Sequence, residues 1–355
     1  MSVRKKENIM EQKTIEKGQF LDSISGLKVV AIWMIFLIHN QISFFDLHVA
    51  SRAVEFFFVV SGFLFYYTKH DEELPNTWET SWNVVKKKLV VIYPIYILCA
   101  IYYLLISKCD FFVALVNLCM LQPWSNNSDV YFSLNGPSWY IASLVFCYFI
   151  SPVLKKWVDK MTRHGMCFFA FCITRLVLEI MLVNYPAILS MSVHTSPIIR
   201  SFDFVLGMIT AKKFVCFLNK SRKSVWIFWG EIFGLISIVM LDNQYGDKLP
   251  RTLFVVLFCA LVYLFAFGKG AFSYLLSNKV LKKCSLVQLE FYLFHAPVGS
   301  FVNIFFRTMF PNLQLNQWVN ILIRVVLLFV VISIYRKVFK RKMENRMQKL
   351  LNRIG

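Results

Sequence analysis

The chain has 355 residues, 57% of them hydrophobic and only 17% charged, against about a quarter charged in a typical soluble domain. That composition excludes disorder, collagen and a small disulfide scaffold, and it makes lipid the expected solvent for much of the chain. A net charge of +19 would indicate nucleic acid only if the basic residues formed one soluble patch; in a membrane protein the same excess marks cytoplasmic loops and contact with anionic headgroups.

Residues 1–20 are polar and mixed in charge. They are too polar and too long for a signal-peptide n-region, and no small-residue cleavage site follows, so a cytoplasmic tail is expected. A spanning helix needs roughly 20 mostly apolar residues. Ten segments qualify, near 27–46, 53–68, 89–106, 138–154, 165–183, 197–211, 224–241, 252–267, 286–306 and 318–335. The sixth is short and carries Arg200 and Asp203, and the brief apolar stretch 111–122 suits a re-entrant or interfacial position. The expected fold class is therefore all-α, a polytopic integral membrane protein with about ten transmembrane helices. It divides into the tail 1–20, a transmembrane domain over 21–336 and a basic cytoplasmic tail over 337–355.

The basic residues orient this layout. If the N-terminus is inside, 30 of the 39 Lys and Arg fall on inner segments, five on outer loops or outer helix ends, and four within the spans. Such a split follows the positive-inside rule and sets both termini in the cytoplasm. It also accounts for the net charge without nucleic acid. The nine cysteines contain no C-x-x-C pair and sit mostly in apolar runs, so they read as packing residues rather than a metal site or a disulfide framework. The longest outer loop, about 107–137, holds Trp124, Asn126, Asn127, Asp129 and Tyr131, which suits either contact with a sugar or an ordinary aromatic belt.

Polar side chains inside a bilayer are expensive, so each is a candidate for function. In the first span Lys28 and His39 are separated by ten residues. At 100° per residue they lie within about 20° of one helix face and roughly 16 Å apart along the axis. Lys28 falls near the inner headgroups and His39 beyond the midplane. In the second span, Glu55 and Ser61-Gly62 lie on the neighbouring antiparallel helix if the 47–52 connection is a tight turn. Ser61 and Gly62 then stand level with His39, and Glu55 lies roughly 9 Å further out. Arg175 and Glu179 are spaced i, i+4 and suit an internal ion pair; Arg324 suits outward snorkelling. No H-E-x-x-H, Walker A, G-x-G-x-x-G or G-x-S-x-G pattern is present, so no metal, nucleotide or esterase-elbow chemistry is indicated.

Lys28, ten intervening residues and His39, followed by Glu55-Phe56-Phe57-Phe58-Val59-Val60-Ser61-Gly62-Phe63, resemble the opening motifs of the acyltransferase-3 family of integral membrane acyltransferases. Pro137-Ser138-Trp139-Tyr140, Arg200 through Phe204 and Gly207, and Tyr292-Leu293-Phe294-His295-Ala296-Pro297 resemble its later motifs. The likeness covers nearly all of residues 20–340. It departs from many members in having Lys28 where they have Arg, and in lacking the extracytoplasmic hydrolase-like domain that some members carry.

The resemblance implies a multi-pass protein of the cell membrane that moves an acyl group, usually acetyl, from acyl-CoA to a hydroxyl. The implied acceptor is a cell-surface polysaccharide or its lipid-linked precursor. On that reading the partners are acyl-CoA, the glycan acceptor and membrane lipids, with acetyl-CoA or another acyl-CoA as donor and no metal. Lys28 and Ser61 would hold the donor. His39 would act as general base or accept the acyl group itself, with Glu55 orienting it or binding the acceptor. Trp139, Tyr140, Arg200 and His295 would line the acceptor side. A transporter or flippase for a glycan or small anion would also use intramembrane Lys, His, Arg and Glu, but such proteins often show repeated halves, and no internal symmetry is visible.

Overall fold

The computed structural model describes residues 22–40, 52–185, 192–217 and 224–354, and every regular element among them is helical. Helix α1 spans Asp22–His39, α2 Ala53–Lys69, α3 Trp78–Ile106 and α4 Phe111–Leu118. A single turn, α5, covers Ser128–Tyr131. The long helices α6 Ser138–Lys160, α7 His164–Asn184, α8 Pro197–Phe217 and α9 Ser224–Tyr245 follow. Then come α10 Arg251–Phe265, the short α11 Ala271–Leu276 and α12 Lys279–Ser285, and the long α13 Gln288–Met309 and α14 Gln317–Ile334. A π-helical turn at Tyr335–Lys340 leads into α15, Arg341–Ile354.

The described part of each of the ten expected segments lies largely in a helix, and seven of these helices are long and apolar enough to cross a membrane. The other three are α2, α8 and α10. Two of them are short, 17 residues for α2 and 15 for α10, and α8 carries Arg200, Asp203, Lys212 and Lys213. Each also has a large share of its residues enclosed by the rest of the bundle: Phe58, Val59, Phe204, Leu206, Phe254, Val255 and Val262 are all buried. A helix surrounded by protein need not satisfy lipid along its whole surface, so its sequence is free to carry charges that pair internally.

The crossing of α2 and α8 holds this inner group together. A Cβ on Gly62 would come within 1.9 Å of the Phe204 carbonyl oxygen, and one on Gly207 within 2.0 Å of the Val59 carbonyl oxygen. The two backbones therefore touch, with each glycine facing the partner's main chain. Between apolar helices in lipid the hydrophobic effect adds little, and close packing over small residues supplies the association.

Some boundaries differ from those expected. The first described helix is Asp22–His39, starting before the expected 27, and residues 41–46 of that expected span and most of the expected turn at 47–52 fall outside the described set. Helix α3 begins eleven residues before its apolar core, because the polar stretch from Trp78 continues the helix and Thr77 Oγ1 caps it by accepting from the Thr80 amide at 3.2 Å. The segment expected as a basic tail is helical through Ile354. Its π-helical turn brings Lys340 Nζ to 2.8 Å from Glu290 Oε1 on α13, and α15 packs against α3. All nine cysteines are unpaired.

Replacing Gly62 or Gly207 by Val should separate α2 from α8. Overpacking inserted into a close-packed core costs about 1–3 kcal/mol, and here the added methyls meet backbone, which cannot rotate away. The expected outcome is a lower melting temperature and lower monodisperse yield in detergent than for the mild change Gly165→Ala, where no atom lies within 4 Å of the new Cβ. Thermal unfolding followed by size-exclusion chromatography checks it.

Candidate active site

The site begins with a proline. Pro297 lies inside α13, and because proline has no N–H, the carbonyl of Leu293 loses its helical donor. Two side chains from elsewhere take that place: Asn135 Nδ2 donates to it at 3.0 Å and Cys99 Sγ at 3.3 Å. The same turn is fixed again by the Tyr292 hydroxyl, which donates to the Pro137 carbonyl at 2.8 Å. The helical turn that carries His295 is thus tied to α3 and to the start of α6.

His295 Nδ1 lies 2.6 Å from the Tyr292 carbonyl oxygen. A carbonyl only accepts, so Nδ1 must carry the hydrogen and donate it, which leaves Nε2 as an acceptor in the neutral ring. That nitrogen is 2.8 Å from His39 Nδ1, with the two ring planes within 3° of parallel. His39 Nδ1 must then be the donor. The chain of hydrogen bonds leaves one imidazole nitrogen in the pair with a free lone pair, Nε2 of His39. Trp33, Phe36 and Phe291 pack together behind the pair, with ring centroids 5.0 Å (Trp33–Phe291) and 5.6 Å (Phe36–Phe291) apart.

Beside the two imidazoles is a cavity of about 300 Å³, whose lining includes His39, His295, Asn40, Gly299, Asn303 and Arg324. Arg324 turns inward rather than snorkelling. Its Nε donates to Asn320 Oδ1 at 2.9 Å, its Nη2 to Asn303 Oδ1 at 2.5 Å, and its Nη1 to Asn40 Oδ1. Sequence reasoning missed Asn40, Asn303 and this role for Arg324. A signal was present for part of it: His295, Gly299 and Asn303 recur every four residues on one face of α13, and Asn40 directly follows His39.

Lys28 sits at the opposite end of α1 from His39. It pairs with no carboxylate among the described residues, and its electrostatic neighbour is Lys88 in the first half of α3. Ser61 neighbours the Tyr140 and Tyr148 hydroxyls. The Tyr140 ring packs 5.4 Å from Tyr292, whose own ring lies 5.8 Å from His295. Ser61 and Tyr140 thus adjoin the histidine pair through one aromatic layer.

The structure places Glu55, Arg200 and Trp139 elsewhere. Glu55 Oε1 lies 2.8 Å from Arg251 Nη1 and 3.1 Å from Arg200 Nη1. Arg200 also reaches Asp203 at 2.8 Å and donates through Nε and Nη2 to the His194 carbonyl at 2.8 and 2.5 Å. Asp203 in turn lies 2.5 Å from Arg175, which pairs with Glu179 at 2.8 Å as its spacing suggested. Trp139 stacks on this group, 4.6 Å from the His194 ring and 5.9 Å from the Arg200 guanidinium. His194, in the connection ahead of α8, is pushed down to about 3 by burial and by the Arg200 and Arg251 charges, so it is a neutral ring. Glu55 therefore does not orient His39; His295 is the group that does.

A family model for an acyltransferase domain, Acyl_transf_3, matches residues 21–336. The chain belongs to the acyltransferase-3 family. No curated protein and no solved structure matches it. For this acyltransferase-3 protein the match supports a membrane acyltransferase, and the helices long and apolar enough to cross a bilayer fit that class.

The ion network yields a test that separates structure from chemistry. Removing one partner of a buried pair strands a charge and costs about 3–5 kcal/mol. Glu55→Gln is expected to lower thermal stability strongly, and the double change Glu55→Gln with Arg251→Met to recover part of the loss, since the stranded guanidinium goes with it. Melting temperatures of the two single variants and the double variant check the cycle.

Proposed function

We propose that the protein is a membrane O-acyltransferase that moves an acyl group, in the first instance acetyl, from acyl-CoA to a hydroxyl of a cell-surface polysaccharide or its lipid-linked precursor. The observation that carries the reading is the free lone pair on His39 Nε2, held by His295 and facing a polar cavity inside a helical bundle of the acyltransferase-3 family.

His39 Nε2 takes the proton of the acceptor hydroxyl as its oxygen attacks the thioester carbonyl. The C–S bond of the tetrahedral intermediate then breaks, and the imidazolium returns the proton to the departing thiolate. The products are the ester and free CoA. His295 accepts from His39 Nδ1 throughout, fixing the ring and its tautomer as the orienting member of a catalytic pair does. A two-step route would carry the acyl group on the same nitrogen, and rapid-quench mass spectrometry of the His39 peptide distinguishes the two. Lys28, near Lys88 and without an acidic partner among the described residues, suits the phosphates of CoA at the inner end of α1. In this reading Ser61 helps to hold the donor, and Tyr140, packed on Tyr292, lines the acceptor side.

Ten spans with both termini cytoplasmic is the topology that goes with this reading, in the cell membrane, with Lys28 on the CoA side. Reporter fusions after residues 120, 190 and 245 should all report the outer face; an inner signal at any of them removes the layout.

The catalytic assignment is tested with purified protein in lipid nanodiscs, labelled acetyl-CoA and surface glycan. General-base catalysis contributes about 10²- to 10⁴-fold, so His39→Ala should lower transfer by at least that order. His39→Gln keeps polarity but not a basic Nε2, and should fail almost as badly while remaining folded. A folded His39→Gln protein that acylates at the parent rate would refute the assignment.

A further inference from the structure

Among the described residues lining the cavity Arg324 is the charged side chain, and it makes no ion pair with any of them. Arg324 makes three hydrogen bonds, all to neutral amide oxygens, those of Asn40, Asn303 and Asn320. No carboxylate pairs with it among the described residues. The contrast within the same molecule is sharp: Arg175 and Arg200, also within spans, each contact two carboxylates. An arginine in a bilayer is expensive unless compensated, and amide dipoles orient a guanidinium without cancelling its charge. Two of its five N–H groups remain uncommitted.

Position decides what would compensate it. Asn40 immediately follows His39, and Asn303 lies two helical turns beyond His295 on α13. Arg324 therefore stands on the side of the histidine pair away from Lys28, which lies roughly 16 Å back along α1. An anion at Arg324 is thus separate from the donor phosphates at the Lys28 end. Gly299 leaves room there: a Cβ at this position would come within 3.4 Å of Arg324 Nη1.

We propose that Arg324, held by Asn40, Asn303 and Asn320, is an anion subsite for the acceptor, and that the acceptor is an acidic sugar bearing a carboxylate or phosphate near the hydroxyl that His39 deprotonates. This rests on the acyl-transfer reading for its biological meaning but not for its measurement. One uncommitted N–H on each Nη can donate to either oxyanion, and the pairing would hold the neighbouring hydroxyl against His39 Nε2.

The test uses the full-length protein in nanodiscs and the rate at which diethyl pyrocarbonate modifies His39, read by peptide mass spectrometry. Glucuronic acid, glucose 6-phosphate and glucose are the probes, with no acyl-CoA present. One or both acidic sugars should slow modification at concentrations where glucose does not. Loss of a charged hydrogen-bonded contact is worth about 10- to 100-fold in affinity, so Arg324→Gln should raise the half-protecting concentration by that factor, and Arg324→Lys by less. Protection by glucuronic acid alone identifies a carboxylate acceptor, and by glucose 6-phosphate alone a phosphate-bearing one. Equal protection by glucose, or protection unchanged in a folded Arg324→Gln protein, overturns the subsite. Acyl transfer is measured separately, so its absence would count against the catalytic reading and leave this result standing.

Discussion

Charge placed inside an apolar bundle has to be closed, and the enclosed helices of this protein are organised around that demand. Arg52, Arg175, Arg200 and Arg251 face Glu55, Glu179, Asp203 and Asp242, four cations against four carboxylates. The members come from α2 and the residue before it, and from α7, α8, α9 and α10. Each contact is between helices or within one turn, so the set fixes how these helices sit in depth and rotation relative to one another. The glycine crossing of α2 on α8 fixes their separation. A buried ion pair gives little net stability against a well-packed apolar alternative; what this set supplies is register, because any slip of one helix leaves a charge without its partner.

Against that frame the histidine cavity is built on the opposite plan. Its imidazoles are linked to each other and to a backbone carbonyl, and its guanidinium is held only by neutral amides. Among the described residues no carboxylate completes it. The two regions share residue types but not balance, and the imbalance is what separates a part that holds the fold from a part disposed to bind.

The sequence carried the broad fold well. Ten apolar segments became helices because hydropathy and length suffice to mark a helix that meets lipid. It carried less where a helix meets protein. The short or charged α2, α8 and α10 fall below a membrane-spanning pattern because neighbours rather than lipid solvate them. Of the site, His39 and His295 were visible as intramembrane polar residues, and Lys28 through its place on the His39 face. Their union was not, since the hydrogen bond joins positions 256 residues apart and local spacing carries no information at that range. Arg200 and Glu55 read as site residues for the same reason that they are conspicuous, being charges in apolar runs; only the pairing partners, on other helices, reveal that they close on each other. Arg324 was misplaced by the opposite error, since a charge near a helix end resembles an anchor until Asn40 and Asn303 are seen around it.

The distance between the two histidines along the chain has a consequence for biosynthesis. Chains elongate at about 5–20 residues per second, so the helix bearing His39 emerges tens of seconds before the one bearing His295. During that interval His39 has no orienting partner, and the helix that will pin its ring does not yet exist. The nascent protein therefore carries a lone imidazole, and the pair forms only when α13 docks near the end of synthesis. On the proposed acyl-transfer reading, products that stop short of that helix lack the hydrogen bond that orients His39.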